Sequence, residues 1–274
     1  MTLLNEGDLK LGTSWQEAAM FNTTLIKAIY VGPPHKNAWE GTGFFVAWMA
    51  DDGIGLFLIS NKHVLEADPK LTYRISLHRR STERSGFPLE VGGKQMWVAT
   101  QDPITVDLPW ADQYFQHPID TVDLACICCT QLLDMRGVVL VPFSQTRILD
   151  WERSNLYPSQ EVLFVGYPDG IRDRMHNLPV ARTGTLASMP HVHFNGQPDF
   201  LIDAQVWAGS SGSPVFVRGT EASESDSFSL VGVIHSTRLN GSDANIGLGY
   251  AVKSSEVSIL IEEAVKSGRC NLKR

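Results

Sequence analysis

The chain has 274 residues, a net charge of −7, and 43% hydrophobic against 19% charged residues. That composition supports a sizeable core in one or two domains and excludes a disordered chain. The negative balance argues against nucleic acid or an anionic membrane as the main partner, and no apolar run approaches the ~20 residues that span a bilayer.

Taken in order, Met1-Thr2-Leu3-Leu4-Asn5-Glu6 has no basic start and no apolar run, so it predicts no signal peptide. Ser14-Trp15-Gln16-Glu17 fits a capping box and predicts a short helix through about Met20. Residues 24–31 read as a strand that ends at Gly32-Pro33-Pro34. Residues 43–49 and 55–59 are two apolar runs, and Asp51-Asp52-Gly53 between them marks a hairpin. His63 follows at once, on a short turn that Ser60 or Asn61 could cap. Residues 72–100 alternate loosely and predict strands with a long hairpin, broken at Gly86, Pro88, Gly92 and Gly93. Within them His78-Arg79-Arg80, with Arg84 nearby, reads as a solvated loop. Residues 101–119 are turn-rich and aromatic and read as a surface loop.

Asp123 heads the run Leu124-Ala125-Cys126-Ile127-Cys128-Cys129, a strand apolar enough to be buried on both sides. Three of the four cysteines lie in this run and the fourth is Cys270, which suits buried thiols better than a disulfide framework. A cytoplasmic location follows. Arg136-Gly137 looks like a link between halves. Beyond it, short strands are predicted at 138–141, 161–165, 181–188, 200–207, 215–217, 230–235 and 249–252, as in an all-β barrel or sandwich. Ser254 or Ser255 opens a last helix with Val257, Leu260, Ile261 and Val265 on one face, and Gly268 ends it. His191 and His193 could be half of a metal site, but no third ligand stands nearby, so no metal is expected.

The stretch Ala208-Gly209-Ser210-Ser211-Gly212-Ser213-Pro214 lies on a tight loop between two predicted strands. Glycine turns the backbone sharply and leaves N–H groups uncovered for a developing oxyanion. Ser211 is therefore a candidate nucleophile, with an ordinary Gly/Ser loop as the plain alternative. A nucleophilic serine needs a base and the base an orienting group, and His63 and Asp123 stand upstream in the order His, Asp, Ser. Asp120 competes with Asp123 for the third role. A nucleophile elbow around Ser210, as in α/β-hydrolases, would need a helix after the turn, whereas Val215-Phe216-Val217 reads as strand.

These motifs resemble trypsin-like serine peptidases. Gly209-Ser210-Ser211-Gly212-Ser213-Pro214 looks like their nucleophile loop, and Leu58 to Val64 is similar to their histidine motif. Their aspartate is followed by an apolar pair, which favours Asp123. Ile202-Asp203-Ala204, Gly166-Tyr167-Pro168 and Gly247 to Val252 resemble the HtrA branch, and with Gly41-Thr42-Gly43 the resemblance covers about residues 20–268. It implies two antiparallel β-barrels of the chymotrypsin type, about 21–135 and 137–252, with a short N-terminal helix and a C-terminal helix at about 254–268. The chain stops at Arg274, so no PDZ domain is expected.

By the same resemblance the protein is a serine endopeptidase acting on a polypeptide through His63, Asp123 and Ser211. Gly209 and Ser211 supply the oxyanion hole, no cofactor is needed, and Gln205, His235 and Ser236 line the specificity pocket. Glutamate- and glutamine-cleaving relatives carry a histidine near His235, which implies a preference for polar or acidic side chains. HtrA-like enzymes often trimerise, which raises a homo-oligomer, although no residue here marks the contact. The other reading is a weak or inactive module of this fold that binds proteins. Ser213 replaces the commoner second glycine of the loop. Ser210 replaces the aspartate that captures a new N-terminus in digestive members, so activity without N-terminal processing is expected, with 167–177 and 238–245 as loops that could order the oxyanion site.

Overall fold

The structure is a computed structural model and describes residues 14–31, 37–68, 70–80, 87–91, 94–98, 103–108, 113–219, 228–239 and 245–274. Residues 1–6, the Gly32-Pro33-Pro34 turn, Arg84, the breaks at Gly86, Gly92 and Gly93, and 240–244 of the 238–245 loop lie outside the described residues.

The helix at the start forms as α1 (Trp15–Asn22) because both halves of the capping box are made. The Ser14 hydroxyl accepts from the Glu17 amide at 3.3 Å, and the Glu17 carboxylate accepts from the Ser14 amide at 2.8 Å. The predicted hairpin appears as β2 (Asn37–Ala50) and β3 (Gly53–Ser60), with β1 (Thr23–Tyr30) on the other side of β2. β4 (Leu71–Arg79) pairs with β1, while β5 (Phe87–Val91) and β6 (Lys94–Val98) pair with each other in a hairpin of their own.

Two sequence expectations need correction here. Residues 101–119 are not simply a surface loop: β7 (Ile104–Leu108) pairs with β4, and β8 (Tyr114–Gln116) pairs with β9 (Ala125–Cys128). Leu108, Tyr114, Phe115 and His117 are buried. Pro103, Pro109 and Pro118 punctuate these strands, and strands of three to five residues give little period-2 signal. In His78-Arg79-Arg80, read as a solvated loop, Arg79 and Arg80 are exposed as expected, but His78 and Arg79 belong to β4 and His78 is buried. His78 is 5% exposed near the end of β4, with its ring edge-on to Phe21 at 5.0 Å.

β10 (Val138–Val139) pairs with β4 and β11 (Phe143–Ser144) runs parallel to β2, so the first sheet continues past Arg136-Gly137. Its order is β10-β4-β1-β2-β3-β9-β8, a half-barrel. The second sheet starts at β12 (Glu161–Gly166). With β13 (Val180–Leu186), β14 (Asp199–Asp203), β15 (Pro214–Arg218), β16 (Phe228–Leu239) and β17 (Asn245–Lys253) it closes a barrel in the order β12-β13-β14-β17-β16-β15. β14 ends at Asp203, short of the predicted Trp207, which frees 204–213 to form a loop. α2 (Ser255–Lys266) follows β17, and Gly268 beyond it takes φ +68°.

Alternation of buried side chains builds three cores. One fills the first half, around Ile26, Leu58, Tyr73 and Ile127, and another fills the closed barrel, around Phe164, Phe200, Val215 and Ile234. The third joins them: Phe44, Phe57 and Ile59 of the first half meet Phe216, Val233 and Val252 of the second, together with Trp15, Leu260 and Ile261 from the helices. Trp15 stacks on Phe228 at 5.1 Å, and Phe143 meets Phe216 edge-on at 5.0 Å. Such pairs add ~0.5–1.5 kcal/mol each beyond their burial, and they fix how the halves meet.

His78 yields a stability prediction. Burial pushes its pKa down to about 4, against a smaller raising effect of a hydrogen bond to the His176 main chain. The unfolded chain therefore binds a proton at His78 near the ordinary histidine value of 6.5, while the folded chain does not until about 4. Stability falls as pH drops through that window, by on the order of 3 kcal/mol for a shift of this size. Thermal melts at pH 7 and pH 4.5 are expected to differ less for His78→Gln than for the wild-type protein. An equal drop in both would remove His78 as the cause.

Candidate active site

His63 sits just beyond β3, on a single turn closed by the Val64 and Leu65 amides donating to the Asn61 carbonyl. Val64 and Leu65 are buried, and the Trp39 indole donates to the Val64 carbonyl at 3.0 Å, so the turn is anchored on both flanks. The Ser60 and Asn61 side chains do not cap it. Ser60 donates to the Thr42 carbonyl at 2.6 Å, and Asn61 donates to the Asp123 carbonyl at 2.8 Å.

Asp123 is carried on the segment entering β9, between the buried Val122 and Leu124. Its Oδ2 lies 2.6 Å from His63 Nδ1, and its Oδ1 accepts from the His63 amide at 3.3 Å. Burial pushes the Asp123 carboxyl up, but the bonds from His63 and the nearby imidazole charges of His63 and His235 prevail and hold it below the usual carboxylate range. Asp120 is exposed instead, and its carbonyl accepts from Lys62 Nζ.

Ser211 lies between Gly209 (φ +81°) and Gly212 (φ +87°). A Cβ on Gly212 would stand 1.9 Å from the Thr42 carbonyl oxygen, so the close approach of β2 requires glycine there. The Ser211 hydroxyl donates to the His235 carbonyl at 3.3 Å and makes no hydrogen bond to His63. The Ser211 carbonyl accepts from the Thr42 amide at 2.8 Å. Thr42 thus touches both the 204–213 loop and Ser60, three residues before His63. Nothing in the sequence around Gly41-Thr42-Gly43 marks Thr42 for this role.

The Ala208 carbonyl accepts from the Asp169 amide at 2.6 Å. In a trans peptide the next N–H points the opposite way, so the Gly209 N–H faces away from that turn. Neither the Gly209 nor the Ser211 amide has an acceptor among the described residues. Ser210 is buried and β15 follows the loop as strand, which removes the nucleophile-elbow alternative. Ser213 occupies space that Gly166 leaves open: a Cβ on Gly166 would meet the Ser213 Oγ at 2.0 Å.

Of the three pocket candidates, Gln205 is exposed and its carbonyl accepts from the Arg182 guanidinium. His235 occupies a bulge in β16, where Ile234 and Ser236 pair with the consecutive residues Ala251 and Tyr250. Its Nε2 is 3.3 Å from the Asp199 Oδ2, in ion-pair range but without hydrogen-bond alignment. Ser236 is exposed beside it. Arg182 and Asp199 had no signal of their own in the sequence. His191 and His193 are both exposed on a turn rather than a strand, and among the described residues no three metal-ligating side chains cluster.

A half-barrel and a closed barrel joined by a common core, with His63 and Asp123 on the first and Ser211 on the second, make an all-β double barrel of the chymotrypsin type. A family model, the trypsin-like peptidase domain, matches residues 41–221, and the chain belongs to that family. Among solved structures it is similar to Rv3671c from M. tuberculosis H37Rv, in the inactive form of a serine-to-alanine mutant. That match has 14% identity, covers 92% of this chain and 90% of the other, and has a TM-score of 0.46. No curated protein matches.

Proposed function

We propose that the protein is a serine endopeptidase, nearest in its motifs to the HtrA branch, in which Ser211, His63 and Asp123 form the catalytic triad. The observation that carries this reading is the 2.6 Å contact between Asp123 and His63 Nδ1, which leaves Nε2 as the free ring nitrogen. The Ser211 hydroxyl leaves the His235 carbonyl, gives its proton to His63 Nε2 and attacks the scissile carbonyl carbon. The resulting oxyanion is stabilised by the unpaired Gly209 and Ser211 amides. His63 then protonates the departing amine, and water hydrolyses the acyl-enzyme by the same steps.

A fluorophosphonate tests this directly. Labelling is expected on Ser211, with release of fluoride and loss of peptide hydrolysis. Absence of both would favour a weak or inactive module that binds proteins, the reading to which the Ser211–His235 hydrogen bond lends support. Four free cysteines suit a reducing compartment, which supports a cytoplasmic location. Among the described residues no helix is long and apolar enough to cross a membrane.

The pocket reading is that Gln205, His235 and Ser236 favour polar or acidic side chains before the cleaved bond. A guanidinium, that of Arg182, holds the Gln205 main chain, and a cation there disfavours lysine or arginine. Profiling on a peptide library is expected to show cleavage after glutamate, glutamine or other polar residues. Cleavage mainly after lysine or arginine would overturn it.

A further inference from the structure

Thr42 is fully buried, and its polar atoms bind four residues on three separate segments. Its amide donates to the Ser211 carbonyl at 2.8 Å, and its carbonyl accepts from the Ser60 hydroxyl at 2.6 Å. Its hydroxyl donates to the Gly209 carbonyl at 2.7 Å and accepts from the Tyr167 amide at 3.1 Å. A hydroxyl has one proton to give, so Thr42 commits it to Gly209.

Gly209 is the residue whose orientation matters most. Without a Cβ it rotates more freely than any other residue type, and its N–H stabilises an oxyanion only if it is already aimed. Both peptides flanking it are held by their carbonyls, at Ala208 by the Asp169 amide and at Gly209 by the Thr42 hydroxyl. Because each peptide is planar, these two bonds limit rotation on either side of the Gly209 Cα. The Tyr167 amide reaches the same hydroxyl, which joins the Tyr167–Gly170 turn to this clamp.

We propose that the Thr42 hydroxyl is a positioning group that crosses from the first half to the second and, by holding the Gly209–Ser210 peptide through its carbonyl, fixes the Gly209 backbone so that the N–H of the preceding peptide keeps its oxyanion-binding orientation. This rests on the peptidase reading above. Thr42→Val keeps the shape and removes the hydroxyl, and Thr42→Ser keeps the hydroxyl. The wild-type protein must first react with a fluorophosphonate; if it does not, the peptidase reading fails before this inference is reached.

With active sites counted by titration, Thr42→Val is expected to lose ~10- to 100-fold in kcat with KM little changed. Its affinity for a peptide aldehyde, which forms a tetrahedral adduct, is expected to weaken by a similar factor. Thr42→Ser is expected to stay within a few-fold of wild type on both. If Val does not fold, Thr42→Ala, which introduces no larger side chain, replaces it. A folded Val or Ala variant with wild-type kcat per titrated site overturns the proposal. So does failure of both to fold while Ser behaves normally, because the hydroxyl would then serve stability alone.

Discussion

Ser211→Ala and His63→Ala are each expected to lower peptide hydrolysis by on the order of 10⁵-fold, because members of the proposed triad act as a unit and loss of one removes the proposed nucleophile or base. Both side chains are partly exposed and neither supports a core, so circular dichroism and the melting temperature are expected to stay near wild type. Asp123→Asn separates the two aspartates. Asp123 accepts from both the ring and the amide of His63, and an amide at that position presents a donor to one of them. A loss of ~10³- to 10⁴-fold is expected, as for other triads whose orienting carboxylate is neutralised. Asp120→Asn is expected to be nearly normal, since Asp120 is exposed and accepts from Lys62 through its main-chain carbonyl. The reverse ranking of the two aspartates would move the orienting role to Asp120.

Gly212→Ala is expected to destabilise the protein by roughly 4 kcal/mol or more, placing it among the most damaging single substitutions. Two effects combine. The new Cβ would overlap the Thr42 carbonyl oxygen and stand 2.4 Å from the Ser60 Oγ, and φ +87° is a conformation that only glycine adopts freely. Neither neighbour yields easily, because Thr42 belongs to β2 and Ser60 ends β3 in the same sheet. Urea denaturation measures the loss, and a midpoint unchanged from wild type would show that the Ser211 loop does not press on β2.

Much of the site was legible because its signals are local. The 209–214 loop is a run of glycines and serines between apolar strands, and the capping box, the Asp51-Asp52-Gly53 turn and Gly268 mark element ends within a few residues. The apolar pair that follows it favours Asp123 over Asp120, and the structure brings Asp123, not Asp120, to His63. The short strands β7 and β8 were hidden because flanking prolines outweigh three to five residues of pattern, and burial there comes from partners far along the chain.

The sequence by itself determined the element types, the glycine positions of the loop and the order of its candidate residues, since each depends on propensities within a few positions. Only the tertiary structure decided which residues meet. It closed one barrel and left the other half open, it added residues 138–144 to the first sheet, and it placed Arg182 against Gln205 and Asp199 beside His235. It also set Ser213 against Gly166 and made Thr42 a hydrogen-bonded link between the two halves, because hydrogen bonds and close contacts between residues far apart in sequence leave no periodic trace in the chain.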